Sequence, residues 1–184
     1  MNDDPDPGQR PNAAATMDAA APGHAIDVLF PEDQPESDET RALAERLRVA
    51  AETALDMAEA RPGAVTILLS DDEEVRALNR QFRGADKPTN VLSFPAEGAA
   101  TEPGAPPYLG DVILALETVA REAGAQGKSF LDHATHLAVH GVLHLLGHTH
   151  DADEDAARME ALEVAALARL GLPDPYAETN LAET

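Results

Sequence analysis

Six of the seven histidines in this 184-residue chain lie between His133 and His150. His140 and His144 are four positions apart in a stretch with helical spacing of apolar residues, so their rings project from one helix face about one turn apart. Gly147 follows, and glycine is the residue that most readily takes a left-handed conformation at a helix end. The sequence therefore predicts that the turn after the helix brings His150 back toward His140 and His144.

The spacing His-x-x-x-His-x-x-Gly-x-x-His predicts a metal site on His140, His144 and His150. Three histidines leave a fourth coordination position for water, which is typical of catalytic zinc. The chain has no cysteine, so thiolate sites and disulfides are excluded and any metal must use nitrogen or oxygen ligands. Surface histidines, or a core histidine bonded to a carbonyl, would explain a single residue better than this triplet. We predict one Zn²⁺ ion on the helix of His140 and His144.

His136 lies one turn before His140 on the same helix face. It is a candidate to orient a metal ligand or to contact substrate, and a partly exposed helix histidine explains it equally well. We assign no role to His133 or to His148, which is next to the glycine turn.

Metzincin proteases share this histidine spacing, but in them a glutamate follows the first histidine and acts as general base. The corresponding residue here is Gly141. A zinc peptidase is therefore an alternative, but the chain lacks the glutamate that would act as its general base. The glycine could instead leave room for a bulky substrate group near the metal.

The net charge of −21 argues against a protein that grips nucleic acid over a wide surface. A local basic stripe could still guide an anionic substrate to the metal. It is formed by Arg76, Arg80, Arg83 and Lys87, at spacings of four, three and four. In the alternative interpretation, these arginines pair with the acidic residues Asp72, Glu73 and Glu74 on the same helix.

Hydrophobic periodicity predicts an α+β fold in which a small mixed β-sheet packs with about five helices. Strands are predicted at 26–30, 64–69, 91–94 and 109–116, and helices at 38–60, 70–79, 117–125, 129–146 and 153–170. Ser70 and Ser129 are the predicted caps of their helices, with Glu73 and Asp132 three positions on. Long loops are predicted at 81–90 and 96–107.

The predicted catalytic domain spans residues 25–173. Residues 1–24 are rich in Pro, Ala, Asp and Gly and are predicted to be a disordered tail, and 174–184 a C-terminal tail. No run of eighteen apolar residues exists, and the N-terminus opens with acids and prolines instead of a basic, then apolar, signal. We expect no membrane contact and a cytoplasmic location.

Three motifs resemble the YbeY family of bacterial zinc-dependent endoribonucleases. They are LNRQFRGADKPTNVLSFP at 78–95, LGD at 109–111 and HGVLHLLGHTH at 140–150. The resemblance covers residues 26–172. It implies a compact α+β fold, a metal held by His140, His144 and His150, and an Arg83 that faces the site and assists catalysis.

The resemblance also implies a single-strand-specific endoribonuclease that acts in 16S ribosomal RNA 3′-end maturation and ribosome quality control. The implied partners are ribosomal RNA, the small ribosomal subunit with its proteins, and an assembly GTPase. A non-catalytic ribosome assembly factor, in which zinc only fixes the fold, is a second alternative. The general base and the attacking group, water or the RNA 2′-hydroxyl, are left unassigned.

One position departs from the family pattern. Thr149 stands where the family usually has Asp, directly before the third predicted ligand. Asp151 and Asp153 are close enough in sequence to replace it in supporting a ligand. Together with His136 and Lys87, Asp151 completes the candidates for supporting ligands or contacting substrate.

Overall fold

The computed structural model describes residues 23–32, 34–97 and 105–177. Nearly all of the predicted N-terminal tail, the middle of the 96–107 loop and the end of the predicted C-terminal tail lie outside these residues. Four strands are formed: β1 (Ala25–Leu29), β2 (Ala64–Ser70), β3 (Val91–Pro95) and β4 (Tyr108–Ala115). Five helices accompany them: α1 (Asp38–Met57), α2 (Asp72–Arg83), α3 (Leu116–Ala125), α4 (Phe130–Leu145) and α5 (Asp153–Arg169).

The strands form one mixed sheet in the order β1-β2-β4-β3. β1, β2 and β4 are parallel, and β3 runs antiparallel to β4 along one edge. The predicted α+β fold with a small mixed sheet and five helices is confirmed. Among the described residues, no helix combines the length and hydropathy that a bilayer crossing requires.

Alternation along the strands divides the core into two layers. Ile67 of β2 and Leu114 of β4 belong to the larger cluster, which includes buried residues of α1, α4 and α5. Ile113 of β4 belongs to a smaller cluster with Val75 of α2. Since successive side chains of a strand point to opposite faces, α2 covers one face of the sheet and the other helices cover the opposite face. α4 lies in the thicker layer.

Helix α2 differs from its prediction at both ends. Its cap is Asp71, whose carboxylate accepts from the Glu74 N–H at 2.7 Å, because Ser70 is still paired with Ala115 as the last residue of β2. The helix continues beyond Asn79 to Arg83 and ends at Gly84, which has φ 70°. The predicted loop therefore begins at 84 instead of 81.

The other helix ends agree more closely with the sequence. Ser129 caps α4 by accepting from the Asp132 N–H at 3.0 Å, as predicted. α1 stops at Met57 and not at residue 60, because Glu59 turns the chain with a φ of 51°. Residues 58–60, the predicted end of α1, instead form the turn that follows it.

Candidate metal centre

Helix α4 approaches the sheet closely at Gly141. A Cβ atom at this position would lie 2.5 Å from Cγ1 of Val112 on β4, and the Ser93 hydroxyl of β3 donates to the Gly141 carbonyl at 3.0 Å. The glycine therefore serves helix–sheet packing, and its side of the helix is filled by protein atoms. The expectation that Gly141 leaves room for a substrate group is wrong.

His140, His144 and His150 converge as the spacing predicts. One ligand nitrogen from each ring lies within 4.8 Å of the other two, and the Nε2 atoms of His140 and His144 are 3.0 Å apart. Gly147, with φ 88°, turns the chain so that the His150 ring stacks on His140 with 5.3 Å between centroids. These three residues form a group that could hold a metal ion.

The hydrogen bonds of the two helix histidines fix which nitrogen faces the group. Nδ1 of His144 donates to the His148 carbonyl at 2.8 Å, and Nδ1 of His140 donates to the Glu163 carboxylate at 2.6 Å. In the neutral form of both rings, these bonds leave the two Nε2 atoms without a proton and direct their lone pairs toward each other. Such a pair repels unless a proton or a metal ion lies between the two nitrogens.

The geometry fits a metal ion. A tetrahedral ion bound at about 2.1 Å would hold neighbouring nitrogens about 3.4 Å apart, close to the spacing of the His140 and His144 pair. Burial lowers the pKa of His144, and repulsion from His140 whenever that ring is protonated lowers it further. His144 is therefore kept in the neutral form that binds metal.

Glu163 on α5 is the residue of this centre that sequence reasoning missed. Its side chain is 0% exposed, and its carboxylate accepts from His140, from Nε2 of His136 at 3.1 Å and from the Tyr176 hydroxyl. Burial alone would raise the pKa of Glu163, but these three hydrogen bonds outweigh it and hold the pKa far below its usual range. A negatively charged carboxylate thus lies behind the His140 ring.

A signal for Glu163 is present in the sequence. The residue shares the buried stripe of α5 with Met159, Ala166 and Leu167, at spacings of four and three. A glutamate on an apolar helix face is seldom buried without a partner. Tyr176 had no such signal, because it falls in the predicted C-terminal tail. Burial, and then its bond to Glu163, raise the pKa of the Tyr176 hydroxyl, which therefore remains a donor.

The remaining candidates are exposed surface residues. Arg83, Lys87 and Asp151 are exposed, and within the described ranges no hydrogen bond or ion pair joins any of them to the three rings. Their predicted roles stay predictions. For His144, support comes from the His148 carbonyl instead of Asp151 or Asp153.

The basic stripe is partly neutralised. Arg76 forms a two-point ion pair with Asp86, at 2.8 and 3.1 Å, and this bond raises the pKa of the guanidinium. The partner is across the turn after α2 and is not one of the acidic residues at the start of the helix. Arg83, at the C-terminal end of α2, keeps its exposed charge close to Lys87 in sequence.

Comparison with known proteins agrees with this architecture. Residues 31–171 match the family described as endoribonuclease YbeY. The chain is 47% identical over 161 residues to a protein of that name from Chelativorans sp. (strain BNC1), covering 87% of this chain and 98% of the relative. It is 51% identical over 159 residues to one from Paramagnetospirillum magneticum, covering 84% and 95% respectively.

A solved structure is also similar. The solution structure of TM1509 from Thermotoga maritima superposes with a TM-score of 0.50 at 23% identity, over 79% of this chain and 91% of that one. At this identity the likeness supports the fold alone.

Proposed function

This chain belongs to the endoribonuclease YbeY family, and from that premise we propose that its histidine centre serves a metal-dependent endoribonuclease of ribosomal RNA processing. The observation that carries the chemistry is the pair of Nε2 atoms of His140 and His144, which face each other at 3.0 Å. With His150 they offer three nitrogen ligands and no fourth side chain from the described residues.

We assign zinc as the ion, with His140, His144 and His150 as its ligands. A set of three imidazoles suits zinc, and it also accepts nickel and cobalt. When bound, the ion supplies Lewis acidity toward an oxygen of the phosphate group or of water. Glu163 and the His148 carbonyl orient the two helix ligands through their Nδ1 atoms, so both rings are held in one tautomer.

Arg83 is the proposed stabiliser of the charge that develops on the phosphate during cleavage. Its planar guanidinium suits two-point contact with phosphate oxygens. Its support is the motif it belongs to and its exposed charge at the end of α2. Lys87, three residues beyond the helix-ending Gly84, is assigned to contact the RNA backbone. The general base stays unassigned.

The family resemblance extends the proposal to partners. We infer that the protein acts on small-subunit ribosomal RNA near its 3′ end, in contact with the small ribosomal subunit, its proteins and an assembly GTPase. Bacterial ribosomal RNA matures in the cytoplasm, so the proposal places the protein there. The catalytic domain is assigned to residues 25–173, extended by the contact of Tyr176 with Glu163.

The peptidase alternative loses its remaining support. A glutamate at position 141 would meet Val112 and Ser93, since Gly141 lies against the sheet and is buried. The helix therefore offers no place for a metzincin-type base beside His140.

The test compares His144→Ala with a matched control, His148→Ala, which keeps the carbonyl that accepts from His144. Elemental analysis should find about one metal ion in the wild type and the control, and little in His144→Ala. The control should cleave single-stranded RNA and His144→Ala should not. Unchanged cleavage by metal-free His144→Ala would contradict the proposal. The assembly-factor alternative would be favoured if the wild type cleaves no RNA and His144→Ala loses its metal but still co-sediments with the small subunit.

A further inference from the structure

A cavity of about 390 Å³ opens beside the metal centre, on the side of the helix that precedes His140. His140 and His136 line one part of it, and Asn90, Glu122 and Lys128 line another. Its volume lies within the range of about 300–1,000 Å³ typical of small-ligand pockets. A second cavity of about 630 Å³ shares Lys128, His133 and His136 with the first, so the two cavities adjoin.

The carboxylate of Glu122, which lines the first cavity, is held in a fixed orientation. One of its oxygens, Oε2, accepts from Nε2 of His133 at 2.8 Å and from the side-chain amide of Asn90 at 2.9 Å. The Asn90 oxygen in turn accepts from the Val91 N–H at 2.7 Å. The Asn90 amide nitrogen therefore holds the Glu122 carboxylate, and the bond from Val91 to the Asn90 oxygen fixes the orientation of that amide.

His133 makes this bond at a cost. The ring is 5% exposed, and its Nδ1 is the one buried side-chain polar atom that lacks a partner among the described residues. A buried polar atom left unpaired lowers the stability of the folded state. Nε2 of the same ring nevertheless holds the Glu122 carboxylate in its orientation.

The second oxygen of Glu122, Oε1, makes no hydrogen bond within the described part of the chain and is not among the buried unpaired atoms. Because the side chain is 34% exposed and lines the cavity, this oxygen is an accessible acceptor in a fixed position. Lys128 lines the same cavity and brings only donors. The lining of the cavity thus includes both a donor group and an acceptor group.

We propose that this cavity binds a guanine base of the RNA strand next to the scissile phosphate. The inference rests on the proposed ribonuclease function and deepens it. The guanine edge presents the O6 acceptor beside the N1–H and N2–H donors, which complements Lys128 and Glu122. Adenine reverses this order, with a donor at C6 and an acceptor at N1, and would face both protein groups with the wrong polarity. Uracil has the same order as guanine, with O4 beside N3–H, but lacks the second donor that the guanine 2-amino group offers to the Glu122 carboxylate.

The binding test uses nucleosides, because they carry no phosphate that could bind the metal. Ligand-detected NMR titrations of the metal-loaded full chain should show guanosine bound about tenfold more tightly than adenosine. Inosine and uridine, which keep the acceptor–donor order but lack the 2-amino group, should fall between them, and uridine bound as tightly as guanosine would overturn the choice of guanine. Glu122→Gln should lose this discrimination. Glu39→Gln, an exposed change on α1 that lines neither cavity, should keep it.

A second arm uses cleavage of single-stranded RNA with randomised sequence. Sequencing of the product ends should show guanine enriched at one fixed position beside the cut in the wild type, and less so in Glu122→Gln. Equal binding of guanosine and adenosine by the wild type would overturn the guanine site, even if RNA is cleaved. Guanosine selectivity in a protein that cleaves no RNA would instead retain the site and remove the proposed function.

Discussion

Glu163 accepts a hydrogen bond from Nδ1 of His140 at 2.6 Å, although the two residues belong to different helices and lie 23 positions apart. The carboxylate is completely buried and receives two further donors, from His136 and Tyr176. The ligand ring is thereby fixed to α5 as well as to its own helix. The metal centre depends on the packing of α5 against α4 and not only on the local histidine pattern.

Glu163→Gln should weaken metal binding about 10–100-fold, because the amide lacks the negative charge that strengthens His140 as a ligand. The new NH₂ group would also face the donors that now bond to the carboxylate, which come from His136, His140 and Tyr176. Chelator-competition titration of the folded protein would measure the loss. Glu163→Asp, which keeps the charge on a shorter side chain, should recover part of the affinity. Glu154→Gln, an exposed change on the same helix, is the matched control. Unaltered affinity in Glu163→Gln would contradict the positioning role.

The histidine group could be predicted because its parts are close in sequence. Four-residue spacing on a helix and a glycine turn fix the relation of His140, His144 and His150 locally. The support behind the ligands could not be predicted in the same way. Glu163 and Tyr176 reach the site through tertiary packing, and the His148 contribution comes from a backbone carbonyl that no side-chain pattern reports.

Gly141→Ala should destabilise the fold by about 1–3 kcal/mol, because the new methyl group would overlap Val112 at 2.5 Å in a packed interior. Urea unfolding monitored by circular dichroism would measure the change. The double variant Gly141→Ala/Val112→Ala should recover part of the loss by removing the clashing group. Gly124→Ala, on the open side of α3, should be neutral or stabilising by up to about 1 kcal/mol. Equal effects of the two alanines would refute the close-approach explanation.

The strands and helices were largely predictable from periodicity, but the contacts that cap helices across the structure were not. α3 has no capping side chain of its own at Ala115. Asp72 of α2 instead accepts from the Thr118 N–H at 3.0 Å, while Glu117 of α3 accepts from the Asp72 N–H at 2.8 Å. The two helix starts cap each other across 45 or 46 positions of sequence. Local propensity carries no information about such exchanged caps.

Asp72→Asn should lower stability by about 1 kcal/mol at neutral pH. Burial alone would raise the pKa of Asp72, but the bonds from Thr118 and Arg121 outweigh it and lower the pKa below the ordinary value of 3.8. A lowered folded-state pKa contributes stability above the unfolded value, and this contribution is lost as pH falls through the folded value. Urea unfolding at pH 7 and at pH 3 should show a smaller gap between wild type and variant at pH 3. Exposed Glu73→Gln is the control, and a gap that widens on acidification would count against this linkage.

Arg83→Ala should reduce kcat/KM for RNA cleavage by about 10²–10³-fold while leaving metal affinity unchanged. The guanidinium is proposed to meet the phosphate, and within the described residues no hydrogen bond or ion pair joins it to the three histidines. Arg83→Lys should recover only part of the rate, since an ammonium cannot form the two-point contact. Arg158→Ala, an exposed change on α5 whose charge is paired with Glu154, controls for the loss of one positive charge from an acidic protein. The decisive comparison measures cleavage and metal content on the same preparations. A similar loss of rate in Arg83→Ala and Arg158→Ala would mean that Arg83 acts only through overall charge, and a loss of metal in Arg83→Ala would mean that it supports the centre instead of the phosphate.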